Sequence, residues 1–255
     1  MNKELQTKIE GYLKELSLTD VRKSYIEIGR RAQSESLSYE QYLLELLEQE
    51  CELRRNRRAE RWLKESGLDL KKSLEAFDLK RLPQKVKQQF NTLLDGQFLS
   101  RNENILVFGN PGSGKTHLVS ALGQELIRLG KRVYCRSCAI LLQELLLAKQ
   151  ELRLPKVFKK LSRYATIIID DIGYVEQKKE EMEVLFSLLA QRYEQGSVMV
   201  TSNLPFSKWE NIFKDPMMTA AVVDRIVHHS VILELNISSY RMEQAKNSKS
   251  EGKPG

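Results

Sequence analysis

The sequence of 255 residues is poor in several features that would narrow its class at once. It contains three cysteines, a small and odd number, which excludes a disulfide scaffold and favours a reducing compartment. No apolar run approaches the about 18 residues that a membrane-spanning helix needs, and the first residues lack the apolar core of a secretory signal. We therefore expect a cytoplasmic globular protein that has no membrane as a partner.

The chain has two regions that differ in composition and in the spacing of their apolar residues. Residues 1–81 contain no proline and carry apolar residues at helical spacing, whereas short β-branched runs alternate with helix-length segments from residue 104 onwards. This alternation predicts an α/β core in which a parallel five-stranded sheet lies between helices. We expect a small all-α N-terminal domain at 1–70, the core at 71–242 and a flexible tail at 243–255. The runs that predict strands are Asn104–Phe108, Arg132–Cys135, Thr166–Ile169, Val198–Thr201 and Val231–Leu235.

Local signals mark the ends of the N-terminal helices. Thr19 resembles an N-cap, and Ser38 followed by Gln41 has the spacing of a capping box. Gly67 is a natural helix stop because glycine adopts the left-handed conformation without strain. These signals predict a helix from about residue 19 and a long helix that begins near residue 38 and ends before residue 67.

A glycine-rich loop between the first predicted strand and the helix after it matches the pattern G-x-x-x-x-G-K-[ST] in full. Its backbone N–H groups would surround phosphate oxygens, Lys115 would place its charge at the β- and γ-phosphates, and the Thr116 hydroxyl would ligate Mg²⁺. The strand–loop–helix context argues against a chance glycine-rich turn, so we predict a nucleotide and Mg²⁺ site. The residues assigned to it are Gly109, Asn110, Pro111, Gly112, Ser113, Gly114, Lys115, Thr116 and His117.

Two consecutive carboxylates end the strand that begins at Thr166. Together with the phosphate-binding loop, they predict that Asp170 holds Mg²⁺, and that Asp171 orients or deprotonates the attacking water. The alternative for Asp171 is an ordinary loop or cap residue.

Asn203 follows the next predicted strand. Ligand chemistry in an open α/β sheet lies at the carboxyl ends of the strands, which predicts that Asn203 reaches the γ-phosphate and its water. The alternative is an ordinary turn before a helix.

The order of loop, paired aspartates and asparagine resembles the AAA+ ATPases. Only a short segment follows the last predicted strand, so the full C-terminal lid of a typical member does not fit; this resembles the helicase-loader and initiator branch. Within it, the sequence is similar to the IstB-like ATP-binding helpers of transposition over most of residues 75–242. The stretches that carry the resemblance are Phe77–Asp78, Gly96–Leu99, Glu103–Gly109, Gly114–Leu118, Ile169–Tyr174, Val223–His229 and Ser239–Arg241.

The resemblance implies an activity and partners. It implies a Mg²⁺-dependent ATPase that forms a homo-oligomer with ATP at the subunit interfaces. The oligomer would assemble on duplex DNA, largely without sequence preference, and recruit or stimulate a partner transposase of the IstA type, with ATP hydrolysis as the switch. The alternatives are a DnaC-like replicative helicase loader and a P-loop ATPase with no role on DNA.

The resemblance also assigns two arginines. It makes Arg225 the arginine finger that reaches a neighbouring subunit's γ-phosphate, and Arg241 a second sensor that acts within its own subunit. The alternatives are an ion pair of Arg225 with Asp224 and a plain tail position for Arg241. One departure is Asp171, where most AAA+ proteins carry glutamate; we expect the shorter side chain to position water less efficiently, which would suit a slow switch.

The formal charge of +7 is concentrated in two segments. Residues 51–64 hold six basic side chains against two acidic ones, and residues 149–163 hold six against one. Helical spacing places part of the first set on one face, which could follow a phosphate backbone or could be an ordinary solvated face. The second set lies where the initiator branch contacts DNA. The predicted DNA contacts are Arg54, Arg57, Arg58, Arg61, Lys149, Arg153, Lys156, Lys159 and Lys160.

Overall fold

The computed structural model describes residues 3–173, 178–213 and 215–240. The chain forms two compact units, Met1–Arg61 and Trp62–Gly255. This division lies before the boundary near residue 70 that the sequence suggests, so that the last residues of the third helix belong to the second unit. Within the described ranges, no helix has both the length and the apolar character that crossing a bilayer requires.

Three helices build the first unit: α1 (Lys3–Glu15), α2 (Thr19–Ser34) and α3 (Tyr39–Ser66), the last of which continues into the second unit. Its core is small and comprises Val21, Tyr25, Ile28 and Leu46. The predicted capping box is confirmed: the Ser38 N–H donates to Gln41 Oε1 at 2.9 Å, and the Gln41 N–H donates to Ser38 Oγ at 3.2 Å. The predicted stop is also confirmed, since α3 ends before Gly67, whose φ is +80°.

The beginning of α2 differs from the prediction. Thr19 is the first helical residue, and the N-cap is Leu18, which makes no side-chain cap. The buried Glu50 carboxylate of α3 takes the place of an N-cap side chain. It accepts hydrogen bonds from the N–H groups of Asp20 and Val21 at 2.7 and 3.1 Å. Burial alone would raise the pKa of Glu50, but the hydrogen bonds from Val21, Arg54 and Asp20 outweigh it and hold that pKa below its usual value.

Replacing Glu50 should therefore loosen the start of α2. We expect Glu50→Ala to cost about 1–3 kcal/mol in this unit, because two buried N–H groups lose their acceptor. The pKa of the Glu50 carboxyl group is lower in the folded protein than in the unfolded chain, so the group stabilises the fold at pH values above its pKa in the unfolded chain. This stabilisation is lost as the pH falls through the pKa of the folded protein. Hydrogen exchange of α2 amides at pH 7 and at pH 3 measures both effects; the difference between wild type and variant should shrink at pH 3. The exposed Glu48→Ala is the matched control, and equal exchange in all three proteins would contradict the assignment.

The second unit is an α/β fold, and each of the five predicted strands overlaps an observed one. Short 3₁₀ turns lie at Leu79–Arg81, Gln97–Arg101 and Phe206–Lys208. The regular elements are α4 (Gln84–Leu93), β1 (Asn104–Gly109), α5 (Lys115–Arg128), β2 (Val133–Ser137), α6 (Cys138–Gln150), α7 (Leu154–Leu161), β3 (Thr166–Ile172), α8 (Lys179–Arg192), β4 (Ser197–Ser202), α9 (Glu210–Phe213), α10 (Pro216–Val227) and β5 (Ser230–Leu235).

The five strands form one sheet in the order β2-β3-β4-β1-β5, and every neighbouring pair is parallel. The strand interiors are buried on both faces; Leu106 of β1 and Ile168 of β3 have no exposed surface. Because the strands are parallel, the carboxyl ends of β1, β3 and β4 lie at the same edge of the sheet. The last residues of those three strands and the segments that follow them carry the residues predicted to bind ATP and Mg²⁺. After β5, the described chain extends only to Tyr240, and no helical lid is seen up to that point.

Candidate nucleotide-binding site

The glycine-rich loop connects the end of β1 to the beginning of α5. Gly112 and Gly114 have φ values of +80° and +95°, a left-handed conformation that side chains disfavour. A Cβ atom at Gly114 would also lie 3.1 Å from the Phe77 ring. Lys115 is 6% exposed, and its Nζ donates to the carbonyl oxygens of Gly109 and Asn110 at 2.9 and 3.1 Å. The loop is therefore wrapped around the ammonium group that would meet the phosphates.

Oxygen ligands suited to Mg²⁺ meet beside this loop. The Thr116 hydroxyl, on the first turn of α5, donates to Asp170 Oδ1 at 3.0 Å. Asp170 also accepts the hydroxyl of Thr201, on the neighbouring strand β4, at 2.6 Å. A hydroxyl and a carboxylate are the hard oxygen donors that this cation selects, and a site with few protein ligands leaves room for water and phosphate oxygens. The donor set thus fits Mg²⁺ bound together with ATP.

Asp171 occupies an unusual backbone position. Its φ is +59°, and the pairing of β3 with β4 shifts register between Ile169 and Ile172. The Asp171 N–H donates to the Thr201 hydroxyl at 2.8 Å. Aspartate tolerates the left-handed conformation better than most residues, which gives a physical reason for an aspartate at this position. The Asp171 side chain is exposed and lines the same cavity as Asn203.

A cavity of about 430 Å³ lies over the loop, within the 300–1,000 Å³ range usual for ligand sites. Two segments outside the P-loop form its walls. Phe77 packs edge-on against His117 with ring centroids 4.9 Å apart. From the other side, the Tyr240 N–H donates to the Gly112 carbonyl at 3.0 Å, and the Arg81 guanidinium lies 4.9 Å from the centre of the Tyr240 ring. The cavity therefore combines a phosphate-binding floor with aromatic walls.

Most of the predicted site residues are brought together there. Gly109 and Asn110 lie behind the loop as acceptors for Lys115, and Asp170 lies beside Thr116. The predicted residues that line the cavity are Pro111, Gly112, Ser113, Gly114, Lys115, Thr116, His117, Asp171 and Asn203.

The site also contains residues that the motifs did not assign. Thr201 precedes Asn203 by two residues and appeared in the sequence only as part of a polar strand end. Phe77 and Tyr240 belong to segments that carried the family resemblance, which was the one available signal for them. The unassigned residues that line the cavity are Lys72, Ala76, Phe77, Asp78, Arg81, Ile237 and Tyr240.

Comparison with known proteins decides the family. The family described as IstB-like ATP binding protein matches residues 11–248. The chain belongs to this family. It is 39% identical to an insertion sequence ATP-binding protein of Sinorhizobium fredii, over 93% of this chain and 80% of the relative. It is 34% identical to the insertion sequence IS21 ATP-binding protein of Pseudomonas aeruginosa, over 93% of this chain and 90% of the relative.

Solved structures place the IstB-like chain in the AAA+ fold, as predicted. AMPPCP-bound DnaA from Aquifex aeolicus superposes with a TM-score of 0.58 at 19% identity, covering 74% of this chain and 57% of that one. The DnaC helicase loader superposes with a TM-score of 0.53 at 19% identity, covering 60% of this chain and 89% of that one. At this identity the similarity concerns the fold alone.

Arg225 of the IstB-like chain lies far from its own P-loop. It is on α10 and lines a small cavity of about 100 Å³ together with Asn104 and Val198, which stand at the amino ends of β1 and β4. The P-loop begins at the opposite, carboxyl end of β1, which spans about 17 Å from Asn104 to Gly109. The Arg225 guanidinium donates to the Ala221 carbonyl at 3.0 Å and lies 5.1 Å from the centre of the Phe186 ring. The second predicted arginine, Arg241, lies outside the described residues.

The four arginines of α3 predicted to contact DNA differ in their partners. Arg54 forms an ion pair with Glu50 of the same helix and donates to the Ser17 carbonyl just before α2, and Arg57 forms a bidentate pair with Asp20 of α2. Each remains 49% exposed. The other two predicted contacts, Arg58 and Arg61, lie on the exposed surface of the same helix.

The second basic segment lies on and before α7. Lys149 pairs with Glu183 at 3.1 Å, and Arg153 pairs with Glu151. The apolar side of α7, formed by Leu154, Val157, Phe158 and Leu161, packs against the core. This packing leaves the opposite side of the helix at the surface, and the lysines exposed there are Lys156, Lys159 and Lys160.

Proposed function

We propose that this IstB-like protein is an ATP-dependent DNA-binding helper of transposition. In this proposal it assembles on target duplex DNA and recruits or stimulates its partner transposase, and ATP hydrolysis resets the assembly. The observation that carries the proposal is the contact of Thr116 with Asp170 beside a P-loop cavity, in a chain whose relatives are insertion sequence ATP-binding proteins. That arrangement supports a nucleotide-controlled activity within an insertion sequence.

The residues divide the work of binding and hydrolysing ATP. Backbone N–H groups of the loop and the Lys115 ammonium hold the phosphates, while the apolar walls around Phe77 and Tyr240 accommodate the base. Thr116 and Asp170 hold Mg²⁺, which when bound neutralises charge on the β- and γ-phosphates. Asp171 and Asn203 point into the same cavity, where they orient the attacking water.

A neighbouring subunit completes the site. Charge on the transferring phosphoryl group calls for a guanidinium, and Arg225 lies at the opposite edge of the sheet from its own P-loop. Arg225 therefore acts on the nucleotide of the next subunit, in a homo-oligomer with ATP at each subunit interface. A head-to-tail interface of this kind generates rings or helical filaments.

DNA contacts follow from the placement of the basic residues. The exposed side of α7 offers three lysines to a phosphate backbone, and the arginines of α3 offer a second basic surface. Contacts of this kind bind phosphates and carry little sequence information. They support a protein that settles on target DNA largely irrespective of its sequence.

The test of the proposal is DNA binding with and without ATP. Fluorescence anisotropy with duplex and single-stranded oligonucleotides of equal length should show duplex binding that requires ATP. A preference for single strands would favour the alternative of a helicase loader. No binding to either strand form would contradict a role on DNA.

The lysines of α7 should set the salt dependence of duplex binding. Each neutralised phosphate adds about −0.9 to the slope of log K against log salt concentration, so the triple variant Lys156→Glu, Lys159→Glu, Lys160→Glu should flatten that slope by about 2–3. The control is Lys85→Glu, Lys131→Glu, Lys208→Glu, which changes the net charge equally at exposed positions elsewhere. Equal slopes for the two triple variants would show that α7 does not face DNA.

A further inference from the structure

Thr201 stands between the two acidic residues of the site. It lies on β4 with no exposed surface, although its hydroxyl group needs partners to be buried without cost. That hydroxyl donates to Asp170 Oδ1 at 2.6 Å and accepts the Asp171 N–H at 2.8 Å. One side-chain oxygen therefore contacts both the predicted metal ligand and the residue predicted to orient water.

The backbone needs this support where Thr201 supplies it. The register of β3 with β4 shifts between Ile169 and Ile172, so the ladder on this side pairs neither Asp170 nor Asp171, and only Asp170 keeps a regular partner, Ser137 of β2. Asp171 has a φ of +59°, a conformation that persists only where the surroundings enforce it. The bond from the Asp171 N–H to Thr201 is such a constraint, since it fixes the peptide that precedes the Asp171 side chain.

The same hydroxyl fixes the Asp170 carboxylate. Oδ1 of Asp170 accepts two hydroxyl groups, Thr201 at 2.6 Å and Thr116 at 3.0 Å. Thr201 is a residue of the sheet, whereas Thr116 belongs to the helix that follows the P-loop. Asp170 is thereby anchored to the sheet on one side and presented to the Mg²⁺ ligand Thr116 on the other.

We propose that Thr201 is a positioning residue for Mg²⁺-ATP: its hydroxyl orients Asp170 toward the cation and Asp171 toward the attacking water. This inference rests on the proposed ATPase function and names a residue on which that site depends. The neighbouring hydroxyl of Ser202 has a different task, because it donates to the carbonyl oxygens of Ile172 and Leu204 and does not contact the two aspartates in the described structure.

The test compares Thr201→Val, Thr201→Ser and wild type. Valine has the shape of threonine but lacks the hydroxyl group. Thermal unfolding of Thr201→Val, compared with wild type, shows whether the variant is folded. Outer-sphere partners of metal ligands are typically worth about 10–100-fold in metal affinity or activity. For Thr201→Val we therefore expect the Mg²⁺ concentration that half-saturates binding of a fluorescent ATP analogue to rise about tenfold or more, and kcat to fall about tenfold or more. Binding of the analogue in EDTA should change little, as should KM for ATP at saturating Mg²⁺, and Thr201→Ser should restore both the Mg²⁺ response and kcat.

The matched control is Thr166→Val, which makes the same change at a buried threonine at the amino end of β3, the end opposite to the two aspartates. The proposal is overturned if Thr201→Val has the wild-type Mg²⁺ response, if Thr201→Ser is no better than valine, or if Thr166→Val gives the same loss. Its failure differs from failure of the ATPase function: a wild type that binds Mg²⁺-ATP without hydrolysing it would contradict the ATPase, while the Mg²⁺ titration would still decide the role of Thr201.

Discussion

Two variants that are each inactive, Asp171→Asn and Arg225→Ala, should recover ATP hydrolysis when they share an oligomer. Asp171→Asn removes the carboxylate that faces water but keeps a side chain that tolerates the φ of +59°, and should lower kcat about a hundredfold or more. Arg225→Ala removes a guanidinium that the fold places at the edge opposite its own P-loop, and should lower kcat about a thousandfold. Neither variant should lose ATP binding.

Complementation follows from the separation of the two residues. In an equal mixture, about a quarter of the head-to-tail interfaces combine an intact Asp171 with an intact Arg225 from the neighbour, so about a quarter of wild-type activity should return. Phosphate release from co-purified mixtures measures this recovery. The control replaces Arg225→Ala with the double variant, which has neither residue and should restore nothing. Mixed oligomers that stay inactive would show that Arg225 does not act across subunits.

Lys115→Ala should weaken ATP binding strongly. The Lys115 side chain is nearly buried, and its ammonium group donates to the carbonyl oxygens of Gly109 and Asn110. Its loss removes both the positive charge expected at the phosphates and two hydrogen bonds that stabilise the loop. We expect Kd for ATP to rise about a hundredfold or more, which corresponds to about 3 kcal/mol. Calorimetric titration with ATP, beside a thermal unfolding curve, separates lost binding from lost folding.

Lys72→Ala is the matched control for Lys115. Lys72 lines the same cavity, but its ammonium pairs with the Asp69 carboxylate at 3.3 Å in a largely solvent-accessible setting. Pairs of this kind contribute about 0–1 kcal/mol, so the change in Kd should stay within about fivefold. Similar losses in the two variants would show that binding depends on the summed charge of the cavity rather than on the P-loop ammonium.

The motif residues were predictable because chemistry restricts both their type and their spacing. Gly114, Lys115 and Thr116 have to follow a strand and open a helix, and Asp170 has to lie near the carboxyl end of another strand of the same sheet, here β3. The strands themselves were visible as β-branched runs, since a sheet covered on both faces buries nearly every side chain. The edge at which the strands end then brings Asp171 and Asn203 into one cavity.

The remainder depends on contacts between segments that have no periodic pattern. Phe77 reaches the P-loop from a bend, and Tyr240 follows a stretch with no regular structure, so neither helical nor strand spacing in the sequence points to them. The Thr19 prediction was wrong by one residue because Glu50, some thirty positions away, supplies the acceptor that a local cap would have supplied. Likewise, helical spacing places Arg54 and Arg57 on a basic face but does not reveal that both are paired with buried carboxylates.

The walls of the cavity have a consequence for how the protein can be divided. Residues 72–81 and 237–240 contribute walls to the proposed ATP cavity, yet both segments lie outside the stretch from Asn104 to Leu235 that holds the five strands of the described sheet. A fragment trimmed to that stretch would retain Lys115, Asp170 and Asn203 and would still score as a complete P-loop ATPase by its motifs. It would retain the P-loop that holds the phosphates of ATP but would lack the two segments proposed to surround the adenine ring. Expression boundaries for this family are therefore better chosen from the segments that touch the P-loop than from the ends of the sheet.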